Sequence, residues 1–434
     1  MPRYLTPAEA AAQVQPSDRL SIPLGPGQPK AFLHALGERD DWQDLQVFSG
    51  LLIDAYPIFT RRGVQLRSGF FGPVERGLQQ AGFDVQFVPA DFRGFASIGE
   101  RFKARVVATS AAMPDAAGHV SLSLHAGATV EQIQHAARDP DRLLIVEVHP
   151  DLPRTRGMPP DHPHGLSIDD IDVLVEGDLP LFTLPESEPS DLDRAIADHA
   201  SRFIHDGCTL QTGIGAVPSL VIQHLAEGPG GDFGVHSEMF TDGLMQLHRA
   251  GKVSNRKGSY DGVSVTTFAL GTAKLYEWLD DNDQVVFLPV QLVNGHEAIG
   301  RNRAMLTLNG ALSVDLYGQV AADTLGGRQF SGIGGHMDFV AGAALSTGGR
   351  SLICLPSTVR VDGKLESRIV PALPSDMLVT TPRHEVDVVV TEHGAAELAG
   401  RAVDERAEAL IGIASPEQRD GLQVAWEQMR RRGG

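Results

Sequence analysis

Cysteine is scarce: the 434 residues hold two, Cys208 and Cys354. They stand in no CxxC spacing and provide no disulfide framework. Basic residues are outnumbered, 37 Lys+Arg against 55 Asp+Glu, for a net charge of −18. That balance excludes the basic stripes of a nucleic-acid or anionic-membrane surface. No run approaches the ~20 apolar residues of a membrane span. Met1 to Leu20 lacks the apolar h-region of a secretory signal and reads instead as a helix start, with Thr6 as N-cap, Pro7 at the first position and Glu9 closing a capping box. The expectation is a soluble, cytoplasmic protein with reduced thiols. There is no GxxxxGK[ST] loop and no GxSxG elbow. His149 with Asp161-His162-Pro163-His164 resembles a metal cluster, but the prolines make local chelation awkward, so no metal is expected.

What is present is ordinary globular material: 42% hydrophobic and 21% charged residues. Disorder and fibrous repeats are thereby excluded, and the length allows two or three domains. Short runs that are apolar throughout recur at Val106–Ala108, Leu143–Val146, Val173–Val175, Val285–Leu288, Leu352–Leu355 and Val388–Val390. Such runs fit strands buried on both faces of a mostly parallel sheet. Helical patterns such as Thr129–Ala137 and Glu405–Ile411 lie between them, which gives an α/β class. A weak internal repeat adds to this. LSIPLGPGQPKAFLHAL (20–36) parallels LQTGIGAVPSLVIQHL (210–225). Asp115-Ala-Ala-Gly118-His-Val120 parallels Asp315-Leu-Tyr-Gly318-Gln-Val320, and Ile171-Asp172-Val-Leu-Val parallels Val386-Asp387-Val-Val-Val. The order is the same in both halves. Two similar domains follow, 1–187 and 188–434, with the boundary in the polar, Pro-containing stretch Glu186–Asp191.

Three segments carry possible chemistry. Gly213-Ile214-Gly215-Ala216-Val217 lies after an apolar run and before a helix, where backbone N–H groups and the helix end suit an anion. Pro218 stands where a dinucleotide GxGxxG requires its third glycine. A tight strand-to-helix turn would need the same glycines, and the copy at Gly25–Pro29 shares that ambiguity. Glu238, in GVHSEMFTDG, sits among small or apolar neighbours and suits a general base or nucleophile, though an exposed turn glutamate would look the same. His236 has no second ligand at metal spacing and reads as structural. Ser331-Gly332-Ile333-Gly334-Gly335 is dense enough in glycine for an oxyanion hole or a tightly packed loop. Cys354 lies in an apolar run as an inert packing thiol.

These segments together resemble the acetyl-CoA hydrolase/transferase family of class I CoA-transferases, nearest to its 4-hydroxybutyrate CoA-transferase branch. The resemblance spans the chain: GPGQPKAFLHAL, EVHPDLPRTRG (147–157), GIGAVPSLV (213–221), GVHSEMFTDGL (234–244), FALGTAKLYEWLDDN (268–282), SGIGGHMDFVAGAALSTGGRSLICLPST (331–358), VTTPRHEVDVVVTEHGAAELAG (379–400) and ERAEALIGIASPEQRDGL (405–422). It implies two similar open α/β domains in tandem, each a mostly parallel sheet flanked by helices, with the active site in the cleft between them. It implies transfer of CoA from an acyl-CoA to a small carboxylic acid such as acetate, butyrate or 4-hydroxybutyrate, with hydrolysis of the acyl-CoA as the rival. By position Glu238 matches the catalytic glutamate, Asn294 and the Gly335 N–H match oxyanion donors, and Gly213, Ile214, Gly215, Ala216, Val217, Ser331 and Gly335 match residues around CoA. Around Asn294, Gly295 and His296 replace the commoner Asn-Asp/His-Pro-Glu turn. CoA is implied as a substrate, with no tightly bound cofactor, and the assembly as a homodimer or homotetramer. A CoA- or sugar-phosphate-sensing protein on the same fold would keep the glycine loops without needing Glu238.

Overall fold

The computed structural model describes residues 1–125, 127–185 and 188–433. The chain folds as two compact units. The first comprises Met1–Pro185, Ser237–Asp242 and Val263–Asn294; the second comprises Glu186–His236, Gly243–Gly262 and Gly295–Gly434. The expected boundary at 187/188 falls on positions 186 and 187, outside the described residues. Beyond it the division differs from a single cut, because two later segments, one containing Glu238, pack with the first unit. Phe268, Leu270 and Val290 enter its core beside Phe92 and Phe95, and Met239–Phe240 pairs in parallel with Phe268–Ala269.

The first unit is built on an eight-stranded sheet. Its strands are β1 (Arg3–Tyr4), β2 (Ser17–Ser21), β3 (Asp44–Ser49), β4 (Val64–Ser68), β5 (Val85–Phe87), β6 (Val106–Ala112), β7 (Leu143–His149) and β8 (Val173–Glu176). They lie in the order β1-β8-β7-β6-β2-β3-β4-β5, all parallel. Alternate residues feed opposite faces. Val106, Ala108 and Ile145 pack with Phe32, Leu33 and Leu36 of the helix Lys30–Gly37. Val107, Leu144 and Val146 pack with Phe95, Phe102 and Ile133. Helices therefore cover both faces, which is why runs such as Val106–Ala108 and Leu143–Val146 in the central strands are apolar at successive positions. The first helix, Pro7–Ala11, has the expected box: Thr6 N donates to Glu9 Oε2 at 2.9 Å and Glu9 N to Thr6 Oγ1 at 3.3 Å.

The second unit holds β9 (Thr209–Thr212), β10 (Gly234–Val235), β11 (Met305–Gly310), β12 (Arg350–Cys354), β13 (Val388–Thr391) and β14 (Gly394–Glu397). Their order is β10-β9-β11-β12-β13-β14, parallel except for the last pair. Ile353, Val389 and Val340 form its core with Ala407 and Leu410 of the helix Val403–Gly412. The run at 285 differs from its expected place: Val285–Phe287 pairs with Ser264–Thr266 and bridges Arg156 through Val286, apart from both large sheets. Among the described residues no helix is long and apolar enough to cross a membrane.

The repeat is structural. Asp115 Oδ1 accepts from Ala117 N at 2.9 Å and His119 N at 2.8 Å. Asp315 Oδ1 accepts from Tyr317 N at 3.1 Å and Gln319 N at 2.9 Å. Gly118 and Gly318 turn each loop with φ of 76° and 87°, a region glycine enters without strain. Asp172, just ahead of β8, takes the Leu144 N–H of β7 at 2.8 Å. Asp387, just ahead of β13, takes the Ser351 N–H of β12 at 3.2 Å.

Candidate active site

Both glycine loops sit where their sheet changes direction. From β2 the chain builds β3, β4 and β5 on one side, then places β6 on the other. From β9 it places β10 on one side and later β11 on the other. Crevices beyond the carboxyl ends of strands at such reversals are where open α/β sheets take ligands.

In the second unit Gly213–Gly215 follows β9 and the helix Ala216–Glu227 begins at once. Gly215 takes φ 135°, and no side chain caps the helix. A methyl group at Gly213 would meet nothing within 4 Å, and Ile214 is 48% exposed. The first helical turn thus presents N–H groups without intrahelical acceptors, together with the positive end of the helix dipole. Gly335 opens the helix His336–Leu345 in the same way, without a side-chain cap. That helix precedes the parallel strand β12, so its N-terminus lies at the carboxyl edge of the sheet. Ser331 anchors the loop: its N–H donates to Asp323 O at 3.0 Å and its carbonyl accepts from Gln329 Nε2 at 2.6 Å. His336 Nε2 meets Thr381 Oγ1 at 2.8 Å, and burial pushes this imidazole down to about 4, so it is neutral at neutral pH.

The first-unit copy is different. A side chain at Gly27 would come within 2.8 Å of His125 O. The N-terminus of the helix Lys30–Gly37 is already occupied, because Glu147 of β7 accepts from Ala31 N at 3.1 Å and Phe32 N at 2.8 Å. The protein's own carboxylate fills the place an anion would take. Burial pushes Glu147 up to about 7, against the lowering effect of those two N–H bonds.

Glu238 lies in the first unit, in the turn that leads into Met239–Phe240, and is half-buried. Its Oε2 accepts from Asn294 Nδ2 at 2.7 Å. Asn294 is fully buried and ends the helix Val290–Asn294. The amide can only donate to a carboxylate, so the polarity of the bond is fixed. The Glu238 carbonyl is held equally firmly: it accepts from Thr267 N at 3.0 Å, Thr267 Oγ1 at 2.8 Å, Thr266 Oγ1 at 2.9 Å and Phe268 N at 3.3 Å. A carboxylate with one oxygen on an amide donor and a clamped backbone is suited to act as a nucleophile of fixed direction.

The other candidates have structural partners. His149 bonds Leu179 O through Nε2 at 2.9 Å and takes Asp151 N on Nδ1 at 3.1 Å. His164 Nε2 meets Ser123 O at 2.8 Å, with its ring centroid 5.1 Å from that of Phe287. His236 is buried, with its ring centroid 6.3 Å from that of Phe339. Burial raises both thiols above their ordinary range. Sequence reasoning missed Thr266, Thr267 and Glu147. The threonines stand 28 and 29 residues from Glu238 and Glu147 more than a hundred from its helix, so no local pattern links them.

Known proteins resemble this chain over nearly its whole length. A family model described as the acetyl-CoA hydrolase/transferase C-terminal domain matches residues 271–426. The 4-hydroxybutyrate coenzyme A transferase of Clostridium kluyveri is 34% identical over 428 residues, 97% of this chain and 96% of that protein. The succinyl-CoA:cyclohexane-1-carboxylate CoA transferase of Geobacter metallireducens is 35% identical over 434 residues, 99% and 96% of the two chains. The crystal structure of RipA from Yersinia pestis superposes with a TM-score of 0.90 at 31% identity, covering 99% of this chain and 98% of that one.

Proposed function

The chain belongs to the acetyl-CoA hydrolase/transferase family, and on that premise we propose that it moves CoA from a short acyl-CoA to a small carboxylate such as acetate, butyrate or 4-hydroxybutyrate, with Glu238 as the covalent carrier. The Glu238 carboxylate attacks the thioester carbonyl. The tetrahedral oxyanion collapses and expels CoA thiolate, leaving an acyl–glutamyl anhydride. The thiolate attacks the Glu238 carbonyl, which releases the first carboxylate and leaves a glutamyl-CoA thioester. The incoming carboxylate attacks that thioester and forms a new anhydride. The thiolate then takes the acyl group and frees Glu238.

A carboxylate suits this exchange and a serine would not. An anhydride retains the thioester's reactivity, whereas a serine ester would lose it. The single observation that carries the reading is the 2.7 Å contact between Asn294 Nδ2 and Glu238 Oε2. An amide already at the attacking group is placed to receive the charge that develops on an adjacent oxygen. Gly335 is retained as a second N–H donor, and Gly213–Val217 with Ser331 as the CoA contacts. Backbone amides would then hold an anionic ligand on a chain of net charge −18.

The family's double name makes hydrolysis the alternative, since water reaching the anhydride or thioester gives free CoA. Mixing acetyl-CoA with each candidate acid separates the two. New acyl-CoA supports transfer, whereas free CoA alone, whatever the acceptor, contradicts it. Glu238→Ala should bind CoA and turn nothing over; full activity in that variant would overturn the role of Glu238.

A further inference from the structure

We propose that Thr267 is a positioning residue for Glu238, acting through the nucleophile's backbone, and that Gly127 is the junction tying it to the helix of Asn294. This rests on the reading of Glu238 as the attacking group. A carbonyl has two lone pairs, yet that of Glu238 receives four donors. Thr267 supplies two of them, N–H at 3.0 Å and Oγ1–H at 2.8 Å. The Thr266 hydroxyl also reaches Phe268 O at 2.9 Å and has one proton for two acceptors. Thr267, fully buried, is therefore the steadier clamp.

The clamp continues on the far side. Gly127 N donates to Thr267 O at 3.2 Å, and Gly127 O accepts from Val290 N at 2.9 Å. Val290 starts the five-residue helix that ends in Asn294. The contacts close a ring: Asn294 amide, Glu238 carboxylate, Glu238 carbonyl, Thr267, Gly127, Val290, and back along the helix to Asn294. Gly127 is glycine for lack of room, because a methyl group there would lie 2.5 Å from Thr267 Cβ and 2.9 Å from Leu288 O. Such a ring fixes the direction of the carboxylate and of its amide donor together. A misplacement of the order of an ångström in an attacking group slows reaction without weakening remote binding.

The test follows single-turnover formation of protein-bound CoA from acyl-CoA alone, normalised to the sites that finally carry CoA, so that misfolded molecules do not count. Thr267→Val keeps the shape and removes the hydroxyl. Its rate should fall about tenfold, equivalent to about 1.4 kcal/mol, at unchanged KM. Thr267→Ser should recover to within about twofold. Gly127→Ala, pressing on Thr267 from the other side, should slow the step with the same unchanged KM. Wild-type rates per competent site in Thr267→Val, or in Gly127→Ala should the valine variant fail to fold, overturn the proposal. A serine variant as slow as valine overturns it as well. Glu238→Gln is run in parallel: an adduct that still forms there removes the premise, whatever the threonine variants do.

Discussion

Replacing Asn294 by aspartate or by alanine separates two things the amide does. In the alanine variant the donor on Glu238 Oε2 is lost, and the loss of one preorganised donor of this kind costs about 10²–10³ in kcat; in the aspartate variant a donor remains only while the two carboxyls share a proton. Aspartate adds a second carboxylate at the 2.7 Å spacing now bridged by the amide. Two unit charges at that distance repel by about 6 kcal/mol at an effective dielectric of 20 and by about 1.5 kcal/mol in bulk water. The half-buried site lies between these bounds. The pair must then retain one proton over about one to four additional pH units. Asn294→Asp should therefore retain kcat/KM best at the acid end, where the shared proton still serves as the donor, and lose it with rising pH through the neutral and alkaline range as that proton leaves. Asn294→Ala should be slow at every pH, with the shape of the wild-type profile. The assay is initial-rate CoA transfer from pH 5 to 9 in all three proteins. Parallel profiles for the two variants would refute the direct pairing of Asn294 with the attacking carboxylate.

Other expectations concern charge, loops and turns. Glu147 binds its proton more tightly folded, up to about 7, than its reference of 4.5, so its contribution to stability falls as pH rises between those values, by about 3 kcal/mol in all. Melting curves should show Glu147→Gln gaining on the wild type from pH 5 to 7.5, and a constant difference would contradict this. Gly215→Ala places a side chain at φ 135°, a strain of about 1–3 kcal/mol, and should raise the Kd for CoA by calorimetry and lower the melting temperature by about 2–4 °C for each kcal/mol of strain. If backbone amides hold CoA, wild-type affinity should also change less than about tenfold between 0.05 and 0.5 M salt. The two repeat turns should differ by burial. Asp315 is fully buried, whereas the Asp115 side chain is 38% exposed. Asp315→Ala should cost about 3 kcal/mol and Asp115→Ala about 1, read from denaturant unfolding.

Much of the fold is visible in the sequence because its physics is local. The strand Val106–Ala112 is buried at all seven positions, and its apolar start, Val106–Ala108, records that directly. The Asp-x-x-Gly turns recur because a carboxylate collecting two N–H groups around a left-handed glycine needs those residues at that spacing. Pairing over long distance leaves no such trace. Val285–Phe287 is as apolar as a central strand, yet it serves a two-stranded pair, since burial does not depend on which sheet supplies it. The placement of 237–242 and 263–294 with the first unit is set by partners far along the chain. The glycine loops at 25 and 213 look alike as sequence, and only Glu147, distant in the chain, makes one of them self-occupied. Glu238 was recognisable from its motif, but its contact with Asn294, 56 residues away, was not written in either local pattern.

The central claim is that Glu238 carries CoA covalently. Incubating the protein with acetyl-CoA and no acceptor, quenching, and mapping the adduct by mass spectrometry tests this most directly. The expected result is CoA in thioester linkage on the peptide containing Glu238, discharged when a carboxylate acceptor is added. Turnover with no adduct, or with CoA attached at another residue, would contradict it.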